Sequence, residues 1–190
     1  MDPLDGVAGV GLLVLLPIPV YWLGVHPFVP RWRRKGSIAG LWVSATVAGA
    51  LAGCFLYFFH DRLLASRNVP LGAKTLGAGL IILALGVFRR VGQELGGGRL
   101  VGKAEVTGTG ELRTQGLYAR LRHPSYAAQM CTMAGLGCLA GTRHFWLVAG
   151  VWWVMLLAAI RLEERELAAR FGVAYEEYRK RVPAFLPLGK

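Results

Sequence analysis

The tightest constraint on this chain is a series of long stretches almost free of charge. A helix needs about 20 apolar residues to cross about 30 Å of hydrocarbon at 1.5 Å rise per residue. Five stretches meet or approach that length: 7–25, 37–59, 70–88, 124–141 and 145–160. The first contains Pro17 and Pro19, which a membrane helix tolerates as a kink when neighbours satisfy the freed carbonyls. The third contains Lys74, whose long side chain can snorkel to the interface. Little more than Thr142 and Arg143 separates the last two, so they should form a tight antiparallel hairpin.

Composition agrees. Hydrophobic residues make up 54% of the 190 and charged residues 17%, too few charges to coat a soluble globule so apolar inside. The expected fold is therefore all-α: a polytopic membrane protein with about five transmembrane helices. Three lie in residues 1–88; residues 89–190 add a cytoplasmic loop, the hairpin and a C-terminal helix. In that last helix Leu162, Leu167, Phe171, Tyr175 and Tyr178 recur at roughly three- to four-residue steps, the first being five, giving one apolar and one charged face from 161 onward.

Basic residues set the orientation, because cytoplasmic loops collect Lys and Arg. Five spans put 18 of the 22 on one face and leave Arg62, Arg67, Lys74 and Arg143 on the other, with the acidic N-terminus. The N-terminus is expected outside, as a retained first helix, and the C-terminal half in the cytoplasm. The net charge of +11 is interleaved with apolar runs, which suits anionic lipid headgroups and argues against nucleic acid. Small residues four apart, Gly49 with Gly53 and Gly137 with Gly141, allow close helix packing within the subunit, a homodimer face being the sharper alternative.

Known soluble cofactor motifs fail. Gly108-Thr109-Gly110 opens like a dinucleotide loop, but Arg113 stands where the last glycine is required. No histidine pair has metal-binding spacing, and Cys54, Cys131 and Cys138 lie in apolar runs, so no metal site is expected. What remains is a pair of polar clusters flanking the hairpin: Arg120, Arg122, His123, Ser125 and Tyr126 before it, and Arg161, Glu163, Glu164 and Glu166 after it. An antiparallel hairpin must return its end beside its beginning. Pro124, without an amide hydrogen, suits the first turn of the fourth span.

The stretch GLYARLRHPSY (116–126), an apolar hairpin, and EERELAARFGVAYEEYRKRVPAFLP (163–187) resemble the isoprenylcysteine carboxyl methyltransferases and the related phospholipid methyltransferases. The resemblance covers roughly the last hundred residues. It implies a membrane methyltransferase that uses S-adenosylmethionine without a Rossmann domain, making 89–190 the cofactor-binding half. It also implies cofactor contacts from Tyr118, Arg122, His123, Pro124, Tyr126, Glu163 and Glu164, with Arg122, Glu164 and Arg161 as catalytic residues. Two positions depart: Ala128 replaces a frequent glycine, and Ala159 an arginine, for which Arg161 is the nearby substitute. The expected acceptor is lipid-like, a prenylcysteine carboxylate or a phospholipid headgroup. The alternatives are a sterol-type membrane reductase using NADPH and a non-catalytic membrane scaffold.

Overall fold

A computed structural model describes residues 3–35, 37–64, 68–95, 107 and 110–185. The glycine run at 96–98, Arg67 and the pair Gly108-Thr109 lie outside them. Among the described residues the chain is helical, with no strand. The helices are α1 (Pro3–Leu15), α2 (Pro17–Val25), α3 (Val29–Lys35), α4 (Ala39–Leu63), α5 (Leu71–Leu95), α6 (Pro124–Ala140), α7 (Arg143–Phe171) and α8 (Val173–Arg181).

The first expected span is broken where its prolines demand it. Pro17 starts a new helix directly after Leu16, and α1 to α3 together form one apolar rod, Leu4–Lys35. Pro19 has no amide hydrogen for the carbonyl of Leu15, four residues earlier. The indole of Trp152 on α7 supplies that hydrogen, its Nε1 donating to Leu15 O at 2.7 Å. The carbonyl that Pro19 leaves free is thus satisfied by a side chain 137 residues from Leu15, as a membrane interior requires.

Among the described residues, four helices are long and apolar enough to cross a membrane: Leu4–Lys35, Ala39–Leu63, Leu71–Leu95 and Arg143–Phe171. The fourth expected span becomes α6, 17 residues long and about 25 Å at the standard rise. It is the most enclosed helix. Tyr126, Ala128, Met133, Leu136, Leu139 and Ala140 are all buried, because α6 runs along α5 and also packs on α1 and α7. At the α5–α6 crossing the backbones nearly touch: a Cβ on either Gly77 or Gly135 would come within 2.7 Å of the other glycine's carbonyl oxygen. A Cβ on Gly137 would lie 2.9 Å from the Trp146 ring, whereas one on Gly49 or Gly53 would meet nothing within 4 Å.

The hairpin turn is built by two residues. Gly141 takes a left-handed φ of 63° and ends α6, donating to Gly137 O at 3.0 Å. Thr142 then caps α7, its Oγ1 accepting from Phe145 N at 3.1 Å and donating to Leu63 O at 2.9 Å. That second bond satisfies a carbonyl at the end of α4.

One expectation needs correction. Residues 161–171 do not begin a separate amphipathic helix but prolong α7 without interruption. Nothing between Phe145 and Phe171 breaks a helix, neither proline nor an unfavourable run of glycines. The break comes at Gly172, with φ 54°, and the separate C-terminal helix is only α8.

Candidate active site

The site lies where the end of α5, the segment 110–123, the start of α6, the extension of α7 and α8 converge. Glu94, near the end of α5, fixes the incoming segment by accepting Leu117 N through both carboxylate oxygens, at 3.0 and 3.2 Å. Gly116 makes this possible: its φ is 62°, and a Cβ there would lie 2.4 Å from Glu94 Oε1. The chain continues through a short 3-10 turn, Gly116–Ala119, into Arg122 and His123.

Here the two polar clusters meet. Arg122 donates to Glu164 Oε1 from Nε at 3.0 Å and from Nη2 at 2.8 Å. Its Nη1 donates to the carbonyls of Arg179 and Val182, at 3.1 and 2.6 Å. The ring of His123, 3% exposed, places Nε2 3.0 Å from the same Glu164 oxygen. The backbone amides of Arg122 and His123 donate to Pro183 O and Ala184 O at 2.9 and 3.1 Å. The entrance of α6, the exit of α7 and the chain after α8 are therefore one hydrogen-bonded unit.

A cleft of about 330 Å³ opens beside this unit. Of the residues picked out by the sequence around the hairpin, Tyr118, Arg122, Ser125, Tyr126 and Glu163 line it. His123, Pro124 and Glu164 stand behind that wall: His123 and Pro124 are buried, and Glu164 is occupied by Arg122 and His123. Arg161 is exposed on α7 and is not part of the lining. The structure adds Trp22, Gln129, Arg113, Arg170, Tyr175 and Tyr178 to the cleft. The two tyrosines carried a readable signal, since YEEY spaces them three apart on a helix. Trp22 carried none, as nothing local in α2 points to a site made a hundred residues later.

The wall offers unused polar atoms. Glu163 Oε2 is buried without a hydrogen-bond partner, with His123 Nδ1 at 4.0 Å beyond bonding reach. Tyr175 OH and Gln129 Oε1 are likewise unpartnered. Burial pushes the Tyr178 phenol up to about 12 against the pull of Arg122. Burial and the Glu164 carboxylate raise Tyr175 as well. Both remain neutral hydrogen-bond donors at physiological pH, and Tyr178 OH already donates to Tyr118 O at 2.7 Å. Among the described residues no group of three or more His, Cys, Asp or Glu could hold a metal ion.

Helices of membrane length with a mixed acidic, basic and aromatic cleft at one end of the bundle define a membrane-embedded protein that can enclose a polar cofactor. Residues 73–174 match the family model described as phospholipid methyltransferase, and the chain belongs to that family. It is similar to the protein-S-isoprenylcysteine O-methyltransferase of Schizosaccharomyces pombe, 41% identical over 81 residues, covering 40% of this chain and 33% of that protein. Methanethiol S-methyltransferase 2 of Bradyrhizobium diazoefficiens is 31% identical over 83 residues, 44% of this chain and 31% of that protein. The cobalt-zinc-cadmium resistance protein CzcN of Cupriavidus metallidurans is 35% identical over 77 residues, 40% of this chain and 35% of that protein. Each match spans about a third of the relative's length. No solved structure matches the chain.

Proposed function

We propose that this integral membrane protein transfers a methyl group from S-adenosylmethionine to a lipophilic acceptor, at a site facing the cytoplasm. The observation that carries the reading is the cleft itself: about 330 Å³, within the range of cofactor pockets, with a buried carboxylate oxygen of Glu163 and a buried phenol of Tyr175 awaiting partners. The donor presents an ammonium, a carboxylate, an adenine and a sulfonium. Glu163 suits the ammonium. The aromatic rings of Tyr118, Tyr126 and Tyr178 suit the adenine or the sulfonium. The relatives' names, an O-methyltransferase for isoprenylcysteine and an S-methyltransferase for methanethiol, support the same reaction class. The cytoplasmic placement rests on the 18 basic residues at that face.

The geometry changes the role of Arg122. Of the five N–H groups of a guanidinium, four are spent on Glu164 and two carbonyls. Arg122 therefore holds the site together, and Arg113 and Arg170, also in the lining, are the cations placed to receive the donor's carboxylate. When bound, the donor supplies an electrophilic methyl group. The protein's part is to orient it and exclude water, since an in-line displacement gains most from positioning.

Calorimetric titration of the purified protein with S-adenosylhomocysteine tests the reading. Binding is expected for the native chain and at least tenfold weaker for Glu163→Gln, with no response to NADPH. Binding of NADPH in place of S-adenosylhomocysteine would sink the proposal.

A further inference from the structure

Arg161, expected at the reaction centre from the sequence, stands outside the cleft. On this stretch of α7 the charges are sorted by face. Glu163, Glu164 and Glu166 turn inward, their side chains 23%, 19% and 8% exposed, whereas Arg161 and Arg165 are exposed. Among the described residues neither arginine has an acidic partner. Like charges four apart on a helix repel, so the pair is unfavourable until an anion from outside the chain joins it.

The place of the pair says which anion. Leu147, Val151 and Val154 are 68%, 63% and 68% exposed on a helix of membrane length, so their stripe faces hydrocarbon. Arg161 and Arg165 continue that stripe, because steps of four, three, seven and four residues keep to one side of a helix. Measured from Arg143 at the other end of α7, Arg161 is about 27 Å and Arg165 about 33 Å along the axis at 1.5 Å per residue. Those lengths bracket the hydrocarbon of a bilayer, about 30 Å. Both guanidinium groups therefore stand where lipid phosphates begin, in line with a surface that acyl chains cover. Helix α3 adds charge at the same level. Its Arg33 binds Glu166, the neighbour of Arg165, and Arg31, Arg34 and Lys35 are exposed.

We propose that Arg161 and Arg165, with the cations of α3 beside them, form a docking site for an anionic glycerophospholipid that the protein holds without methylating it. The phosphodiester takes the planar donor forks of the arginines, and an acyl chain lies along Val154, Val151 and Leu147. The lipid stays outside the reaction because the arginines and the cleft occupy opposite sides of α7. Glu163 and Glu164 share that helical turn with the arginines, so a lipid bound on the outer side fixes the rotation of the helix that carries the inner one.

The test uses the full chain in detergent and counts bound lipids by native mass spectrometry, with dioleoylphosphatidylglycerol and dioleoylphosphatidylcholine as probes. The two share their acyl chains and phosphate and differ in net charge. The native protein is expected to hold the anionic lipid at least tenfold more tightly. Arg165→Gln should lower that preference about fivefold, the worth of one cation near a lipid surface, and Arg161→Gln with Arg165→Gln should bring it within twofold of none. Lysine at both positions keeps the charge and should keep most of the preference, which separates loss of the site from loss of the fold. Glycerol phosphate, the same head without chains, should not displace the lipid at equal concentration. Arg120→Gln removes an exposed arginine from another part of the protein and should leave the preference within twofold of native. An equal loss in Arg120→Gln would mean a diffuse field rather than a site and overturns the proposal. So does a native protein that holds both lipids alike, or displacement by glycerol phosphate.

Discussion

Glu164 is the residue on which the two halves of the site depend, because a single oxygen accepts from Arg122 and faces His123 Nε2. Removing its charge leaves a guanidinium that is 12% exposed with only backbone carbonyls for company. Such a loss lies between the small effect of a surface pair and the larger effect of a buried one, so Glu164→Gln should cost about 2 kcal/mol. It should also lower S-adenosylhomocysteine affinity indirectly, by letting the entrance of α6 drift from α7. Thermal unfolding of native and variant protein in the same detergent measures the first effect; an unchanged midpoint would show that the pair braces nothing. Tyr178 gives a complementary prediction at alkaline pH. Its phenol is raised in the fold to about 12 from an ordinary value near 10. The folded state therefore favours the protonated form, and the resulting stability is complete below about 10 and is lost as pH climbs toward 12. Tyr178→Phe should be less stable than the native protein at neutral pH, for want of the bond to Tyr118 O, yet should lose less of its midpoint between pH 9 and pH 11.

At the scale of elements, proline and its repair can be separated by experiment. Trp152→Phe removes the indole hydrogen from Leu15 O and leaves a buried carbonyl unpaired, a loss of about 1–3 kcal/mol. Pro19→Ala restores an amide hydrogen to that same carbonyl from within the helix. The two changes should therefore be non-additive, Trp152→Phe costing less in the Pro19→Ala background, as a double-mutant cycle in urea or by heat would show. Additive effects would mean that the indole and the proline are unrelated. This is also where the sequence stops being readable. The proline positions are visible in it, and so is their tolerance in a membrane, but the donor that makes Pro19 tolerable sits 137 residues beyond Leu15, whose carbonyl it satisfies. Helix positions followed from charge-free runs, and the meeting of Arg122 and His123 with Glu164 from the return of a hairpin. The extension of α7 past Ile160 was missed because its polarity changes there while its helical propensity does not. Trp22 was missed because α2 reaches the site through tertiary packing rather than through any local pattern.

For the whole molecule, the site fixes the number of crossings more firmly than hydropathy does. From Arg143 to Glu164, α7 covers about 31 Å at 1.5 Å per residue. His123 nevertheless touches Glu164, so the chain between them must travel away from the site and back by nearly equal distances. The outward leg is α6 with the Gly141-Thr142 turn, and it reaches the far end of α7 despite having only 17 residues. A helix this short can span because neighbours rather than lipid cover most of it: α5 along one side, α1 and α7 on the others. Five crossings put the connection between α4 and α5 on the face opposite the cleft. With Cys54, Cys131 and Cys138 replaced by alanine, Asp61→Cys and His144→Cys should react with a membrane-impermeant thiol reagent from one side of sealed vesicles. Thr114→Cys should react only from the other. Labelling of His144→Cys together with Thr114→Cys would mean that α6 does not cross, and the closure of the hairpin on Glu164 would then need another explanation.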